Sequence, residues 1–340
     1  MKKYLLITWG LWYIWSHAVV RFEQAGYTTI IIDNCCNSNI SVLDGLKNIL
    51  WYSPVFFQGD IRDELLLERI FQSYHISWVI HFAWLKSVSE SCSEPLKYFD
   101  NNLSWSMTLF RIMEKFWVSH ILFSSSATVY DAKWFSWENF TGITESAQTW
   151  ETLNPYGRSK YLVEQILQDL SQFAWFKVIN LRYFNPIGAH ESGYIGERPN
   201  GIPNNLLPYI LKVAAWELPE LVVFWDDYPT LDGTWVRDYI DVNDLIEGHL
   251  KAYSLLESRD KVGYFESYNL GRWVGISVLE LLAYAREITG KHIAYTVGER
   301  RIWDLASVYC NPHKAESQLA WKASRTPQES ISAAWKFYNR

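Results

Sequence analysis

Two segments hold the side chains best suited to chemistry: SSSATVY at residues 124–130 and NPYGRSK at residues 154–160. Tyr156 and Lys160 stand at i and i+4, one above the other on a helix face. A phenol is a poor base near its free pKa of about 10. An ammonium one turn away stabilises the phenolate and lowers that value. Ser126, at a neighbouring strand end, can orient a substrate hydroxyl. Around a nicotinamide, Tyr, Lys and Ser can deprotonate an alcohol while hydride leaves its carbon. Tyr-x-x-x-Lys alone is common on packed surface helices, so its meaning depends on the elements that position it.

Those elements are regular in the first half of the chain. YLLIT reads as a strand, residues 13–24 as a helix and YTTIIIDN as a second strand. SPVFFQGD, SWVIHFA and HILFSS follow as three more, each after an amphipathic stretch, and FKVINLRYFN follows the helix of NPYGRSKYLVEQILQDL. Strands alternating with helices imply parallel βαβ units with right-handed crossovers. Continuous apolar strands fit a sheet covered on both faces. The expected architecture is α/β, a Rossmann-type doubly wound parallel sheet over residues 1–185. Beyond it lies a smaller mixed α/β substrate-binding region over residues 186–340, part of which returns to the first domain. In that second part only helices near residues 203–215, 242–256, 277–290 and 327–338 stand out from the loops.

Composition narrows the function classes. The 340 residues suffice for a sizeable core, and 49% hydrophobic with 20% charged residues is ordinary for a globular chain. A net charge of −6 gives no reason to expect nucleic acid or an anionic membrane. Residues 4–20 carry no formal charge except on His17, but no small-residue cleavage site follows, and they read as strand plus helix and not as a signal peptide. Cys35, Cys36, Cys92 and Cys310 lack metal-ligand spacing, so no metal is expected and free thiols in a reducing cytoplasm are.

A strand, a tight turn and a helix leave free N–H groups that form an anion site. Asp33 ends the second strand, 18 residues past Trp15, where an acidic residue accepts hydrogen bonds from the adenosine ribose of NAD. Asp60 is placed to meet the adenine. Either carboxylate could equally cap a turn or helix. The turn itself is TWGLWYIWSH, with Trp9, Trp12 and Trp15 at positions where such a turn needs glycine. Overpacking by much smaller groups costs roughly 1–3 kcal/mol, so this turn as written is not expected to bind a dinucleotide.

Over nearly its whole length the chain resembles the UDP-glucose 4-epimerase family, extended short-chain dehydrogenases/reductases that are isomerases. The resemblance rests on IIDNCCNS, GDIRD, VIHFAWLKSV, DNN, SSSATVY, NPYGRSK, LRYFNPIGAH, GIPNNLLPYI, DGTWVRDYI, NLGRWVGISV and RRIWD. It implies Tyr156 as base, Ser126 beside it on the sugar 4-hydroxyl, and Lys160 on the nicotinamide ribose. NAD would be lined by Trp9, Trp12, Tyr13, Ile14, Trp15, Asp33, Asn34, Asn37, Ser38, Asp60, Ile61, Phe82, Ala83, Trp84, Lys86, Asn101, Ser124 and Phe184. The UDP-sugar would meet Lys86, Asn185, Asn204, Asn205, Leu206, Val222, Phe224, Arg237, Arg301, Asp304 and Val308. Arginine forks suit a diphosphate, although surface ion pairing would be the plainer reading of Arg237 and Arg301. The implied mechanism is oxidation at C4, rotation of the keto sugar and return of hydride to its other face. A cytoplasmic homodimer in galactose metabolism is implied too.

The related 4,6-dehydratases carry an Asp–Glu pair where this chain has Ala127 and Thr128, which argues against dehydration. A small residue at Val308 is compatible with N-acetylated sugars, and a UDP-uronate or UDP-N-acetylhexosamine epimerase stays open. So does an inactive relic, if the tryptophans are real. Against family glycines fall Trp9, Trp12, Trp15, Trp84, Trp105, Trp216, Trp225, Trp235, Trp273 and Trp303, whereas an aromatic is plausible at Trp321 and Trp335. Returning those ten to glycine would raise glycine from 17 to 27 residues, close to the usual ~7%. One replacement residue at glycine positions alone suggests a gene that uses UGA for glycine, translated with UGA as tryptophan.

Overall fold

A computed structural model describes residues 3–82, 85–131, 133, 141–199, 201–300 and 305–340. The first half runs β1 (Tyr4–Thr8), α1 (Tyr13–Gln24), β2 (Thr28–Asp33), α2 (Val42–Leu50), β3 (Val55–Gln58), α3 (Glu64–Ser73) and β4 (Ile76–His81). It continues through α4 (Val88–Ser93), α5 (Pro95–Phe99), a π-helical turn (Asp100–Ser104), α6 (Trp105–Lys115), β5 (His120–Ser126), α7 (Pro155–Phe173) and β6 (Lys177–Tyr183). Every strand expected from the sequence in this half is present.

These strands form one parallel sheet in the order β3-β2-β1-β4-β5-β6, closed at its far edge by β10 (Tyr264–Leu270). The order is that of a doubly wound fold, and it reverses between β1 and β4, where such sheets open a crevice at their carboxyl ends. Leu5, Leu6, Ile7, Ile30, Ile31 and Ile32 are fully buried in succession because helices cover both sheet faces.

The second half supplies β7 (Asn185–Ile187), α8 (Leu206–Ala214), β8 (Leu221–Phe224), β9 (Val236–Asp241), α9 (Val242–Glu257), β11 (Gly275–Ser277), α10 (Val278–Thr289), β12 (Tyr295–Gly298) and β13 (Ser307–Val308). Two helices, α11 (His313–Gln318) and α12 (Pro327–Tyr338), end the chain. The four helices read from the sequence are here. Its strands were not legible: β7, β11 and β13 have two or three residues each, too few to show a period. A separate apolar core gathers Leu207, Ile210, Leu221, Val223, Leu281 and Ile331. Meanwhile Leu245, Tyr253, Tyr268 and Trp321 join the core of the large sheet.

Candidate active site

The site forms where β5 ends. Ser126 is the last residue of that strand and caps the following turn, its Oγ accepting from Thr128 N at 3.2 Å and from Thr128 Oγ1 at 3.0 Å. Asn154 caps α7, its Oδ1 accepting from Gly157 N at 2.8 Å, and Pro155 occupies the first turn. This cap fixes where Tyr156 begins. Gly157 then lets α7 lie against the turn: a Cβ there would meet Thr128 O at 2.4 Å. The close approach sets Tyr156 near Ser126, close enough for the serine to act on the tyrosine's proton affinity.

Lys160 is sunk in the same helix face. Its Nζ donates to Ser124 O at 2.5 Å and lies 5.0 Å from the Phe123 ring centroid and 5.9 Å from that of Tyr156. The lowering of the tyrosine pKa expected from this neighbour is not what the protein alone gives. Burial pushes Tyr156 up to about 12, with Ser126 opposing it. Burial likewise drives Lys160 well below its ordinary value, against the pull of Glu164. Burial thus favours the neutral form of both groups. Glu164 is held by Arg182, with Nη2 to Oε2 at 2.6 Å, and accepts from Ser125 Oγ at 2.5 Å. That buried pair fixes the β5 end from beneath. Tyr183, whose hydroxyl bonds His249 Nε2, adds a second anchor.

The structure also places the residues expected along the nucleotide. Asp33 sits at the end of β2, nearly buried, with Oδ2 accepting from Leu11 N at 3.0 Å and Oδ1 from Cys35 N and Ser38 Oγ at 2.8 Å each. It ties the first turn to the loop carrying Asn34, Asn37 and Ser38. Asp60 accepts from Arg62 and from Asn34 Nδ2, and Arg62 holds its carboxyl below the ordinary value against the opposing effect of burial. Ile61, next to Asp60, is buried, and Phe82 is buried against Trp15 and His249. Tyr13 donates to Gly188 O at 3.0 Å, joining α1 to the second half, and Ile14 follows it. Asn101 lies in the π-helical turn, donating to Lys97 O at 2.7 Å. Its neighbour Asn102, which sequence reasoning passed over, is the buried one: it accepts from Leu85 N at 3.0 Å and donates to Ser159 Oγ at 2.9 Å, linking the loop after β4 to α7. The doubled Asn in DNN was the available signal.

Farther out, Lys86 Nζ pairs with Glu197 at 3.2 Å and Asn205, at the α8 N-cap before Leu206, donates to the same carboxylate at 2.5 Å. Phe184 is buried, Asn185 opens β7, Asn204 is exposed beside Asn205, and Val222 and Phe224 belong to β8. Arg237 lies on β9, its guanidinium turned back on neighbouring carbonyls. Its Nη1 donates to Val236 O and Leu305 O at 2.8 and 2.7 Å, and its guanidinium covers Trp235 at 4.6 Å. Val308 is its register partner on β13. Ala83, Trp84, Arg301 and Asp304 lie outside the described residues, as does Trp303.

The remaining geometry concerns the first turn. Trp9, Trp12 and Trp15 are buried over the start of α1. The rings of Trp9 and Trp15 lie 5.4 Å apart, Trp9 and Trp105 5.3 Å, and Trp15 and Phe82 5.7 Å. This aromatic cluster occupies the crevice at the switch point, where a pyrophosphate would need the free N–H groups of α1. As written, these residues do not fit a dinucleotide.

Comparison with known proteins decides the class. The model of the NAD dependent epimerase/dehydratase family matches residues 10–271. The UDP-glucose 4-epimerase of Neisseria meningitidis serogroup C is 48% identical over 339 residues, 99% of this chain and 97% of its own. The chain belongs to this family. The enzyme of the same description from Bacillus subtilis is 44% identical over 335 residues, 98% and 96% of the two chains. The crystal structure of UDP-glucose 4-epimerase from Bifidobacterium longum in complex with NAD+ and UDP superposes with a TM-score of 0.92 at 43% identity, covering 99% of this chain and 98% of that one. The doubly wound fold expected from the alternating strands is therefore the fold of this family.

Proposed function

We propose that the chain is a UDP-glucose 4-epimerase, interconverting UDP-galactose and UDP-glucose with NAD as its cofactor. The observation that carries the reading is the placement of Tyr156 against Ser126 and one turn from Lys160, at the crevice of a family fold that relatives share over its full length. Tyr156 takes the proton of the sugar 4-hydroxyl at its phenol oxygen, Ser126 orients that hydroxyl, and buried Lys160 stabilises the charge the tyrosine acquires. Ala127 and Thr128 provide no acid for eliminating water, so the same site does not dehydrate. Arg237, with Arg301, binds the diphosphate; Asn185, Asn205 and Leu206 flank the sugar; Asp33 and Asp60 hold the adenosine half. Residues 1–185 carry the cofactor and residues 186–340 the UDP-sugar. Val308, small and paired in register with Arg237, is compatible with a substituent at the sugar's 2-position.

Incubating the protein isolated from its own cells with UDP-galactose and measuring UDP-glucose tests the reading, with UDP-N-acetylgalactosamine and UDP-galacturonate as comparison substrates. Conversion of a comparison substrate alone would replace it. Free Cys35, Cys36, Cys92 and Cys310 agree with a cytoplasmic enzyme. Among the described residues no helix is long and apolar enough to cross a membrane. A homodimer is the family arrangement, and sedimentation of the purified protein tests it.

A further inference from the structure

The tryptophans sort into two physical classes. Nine described residues other than glycine have positive φ, and seven of them are tryptophan: Trp9, Trp51, Trp117, Trp175, Trp216, Trp225 and Trp273, with φ between 59° and 71°. A bulky side chain in this region is a genuine outlier, because its Cβ crowds the following carbonyl; glycine pays nothing there. Four of the seven stop helices. In α6 the bond Val118 N to Met113 O, 2.8 Å, closes over Trp117, and after α8 the bond Glu217 N to Lys212 O, 2.9 Å, closes over Trp216. The same bond at the end of α1, Tyr27 N to Phe22 O at 3.1 Å, closes over Gly26 with φ 88°. That is the left-handed helix stop for which glycine is the usual residue. Trp51 and Trp175 end α2 and α7 in the same conformation, as Gly290 ends α10.

A second signature is independent of the backbone. The buried indole nitrogens of Trp15, Trp105 and Trp235 have no hydrogen-bond partner, whereas that of Trp321 donates to Asp244 O at 2.9 Å. Buried indole N–H groups ordinarily find an acceptor. Trp117 and Trp175 stack on each other at 5.4 Å, but stacking does not relieve their φ. Trp51 and Trp117 are mostly exposed, so burial does not explain them either.

We infer that the cellular protein has glycine at Trp51, Trp117 and Trp175, as well as at Trp9, Trp12, Trp15, Trp105, Trp216, Trp225, Trp235 and Trp273, and tryptophan at Trp321 and at Trp78, whose ring packs 4.3 Å from His120 and 4.0 Å from Tyr253. The physical cause is a codon read as glycine in the cell of origin. The first three positions belong to helix ends remote from any cofactor motif, so the inference stands on backbone geometry and not on the proposed activity. Its consequence at the site is direct: glycine at Trp9 and Trp15 removes the aromatic cluster and exposes the start of α1 to a pyrophosphate.

The test is peptide mass spectrometry on the protein isolated from its own cells, together with the codons at the same positions. Glycine in the peptides spanning residues 51, 117 and 175, at UGA codons, with tryptophan at 78 and 321, is the expected result. Tryptophan in any of the first three, or UGG there, overturns the inference. Recombinant protein carrying glycine at all the inferred positions, those of the first turn included, should then retain NAD through purification, read as a nicotinamide absorbance after denaturation. Glycine peptides without retained NAD would uphold the decoding and refute the cofactor reading, so the two fail separately.

Discussion

Replacing Gly157 by Ala tests whether the approach of α7 to the β5 turn, and not merely the presence of Tyr156, sets the rate. The added Cβ would lie 2.4 Å from Thr128 O, 3.1 Å from its carbonyl carbon and 3.2 Å from its Cβ, where ordinary contact begins at 3.4 Å. The clash is with backbone, so no side chain can rotate away. Either α7 retreats by about 1 Å or the turn capped by Ser126 does, and both separate Tyr156 from Ser126. Overpacking of this kind costs roughly 1–3 kcal/mol of stability. A misplacement of about 1 Å at reacting groups can cost on the order of 100-fold in rate. The glycine-bearing Gly157→Ala protein should therefore keep its fold and its NAD, lose a modest part of its urea midpoint, and lose about two orders of magnitude in kcat for UDP-galactose. A kcat within threefold of the parent, with the stability loss present, would show that the rate does not depend on this contact.

Tyr156→Phe should keep NAD and lower kcat by roughly 10²–10⁴-fold, as removal of a general base does; unchanged activity in a coupled UDP-glucose assay would exclude Tyr156. Burial lowers His17 and His81 to about 3 and His249 to about 4. The unfolded chain binds the extra protons, so stability is complete above pH 6.5 and falls below it, by about 1.4 kcal/mol per pH unit for each histidine; urea midpoints at pH 7 and pH 5 measure this slope, and His249→Gln should flatten it. Arg182→Met strands the Glu164 carboxylate in the core and should cost about 3–5 kcal/mol, with Arg182→Met/Glu164→Met recovering much of it; equal losses in the single and double variants would deny the pairing. Trp51→Gly should raise stability by about 1–2 kcal/mol because it relieves a left-handed residue, while Trp150→Gly, exposed without positive φ, should not.

The parts legible in the sequence are those whose information is local. Ile30 to Ile32 announce a strand buried on both faces, and the i, i+4 spacing of Tyr156 and Lys160 puts them on one face whatever surrounds them. What the sequence could not supply is the electrostatic state of that pair. Tyr156 is raised and Lys160 lowered because elements far apart in the chain remove water from both, and no spacing rule contains that burial. Asn102 was hidden for a related reason: its partners Leu85 and Ser159 come from a loop and a helix that only the fold brings together.

The tryptophans show the complementary limit. A motif with fixed offsets exposed Trp9, Trp12 and Trp15, because three glycines in one turn make a pattern that survives their replacement. A helix stop requires one residue of permissive φ and nothing else nearby, so Trp51, Trp117 and Trp175 leave no pattern in the sequence and become conspicuous only when the backbone turns left-handed under them. Trp12 marks the boundary between the two kinds of information. Its φ of −86° is ordinary and its position at the α1 N-cap strains nothing, so its case for glycine rests on the motif alone. Trp51 rests on geometry alone. A single codon reading covers Trp12, which only the motif reaches, Trp51, which only the backbone reaches, and Trp9, where motif and left-handed φ meet, and so explains more than either motif or strain alone.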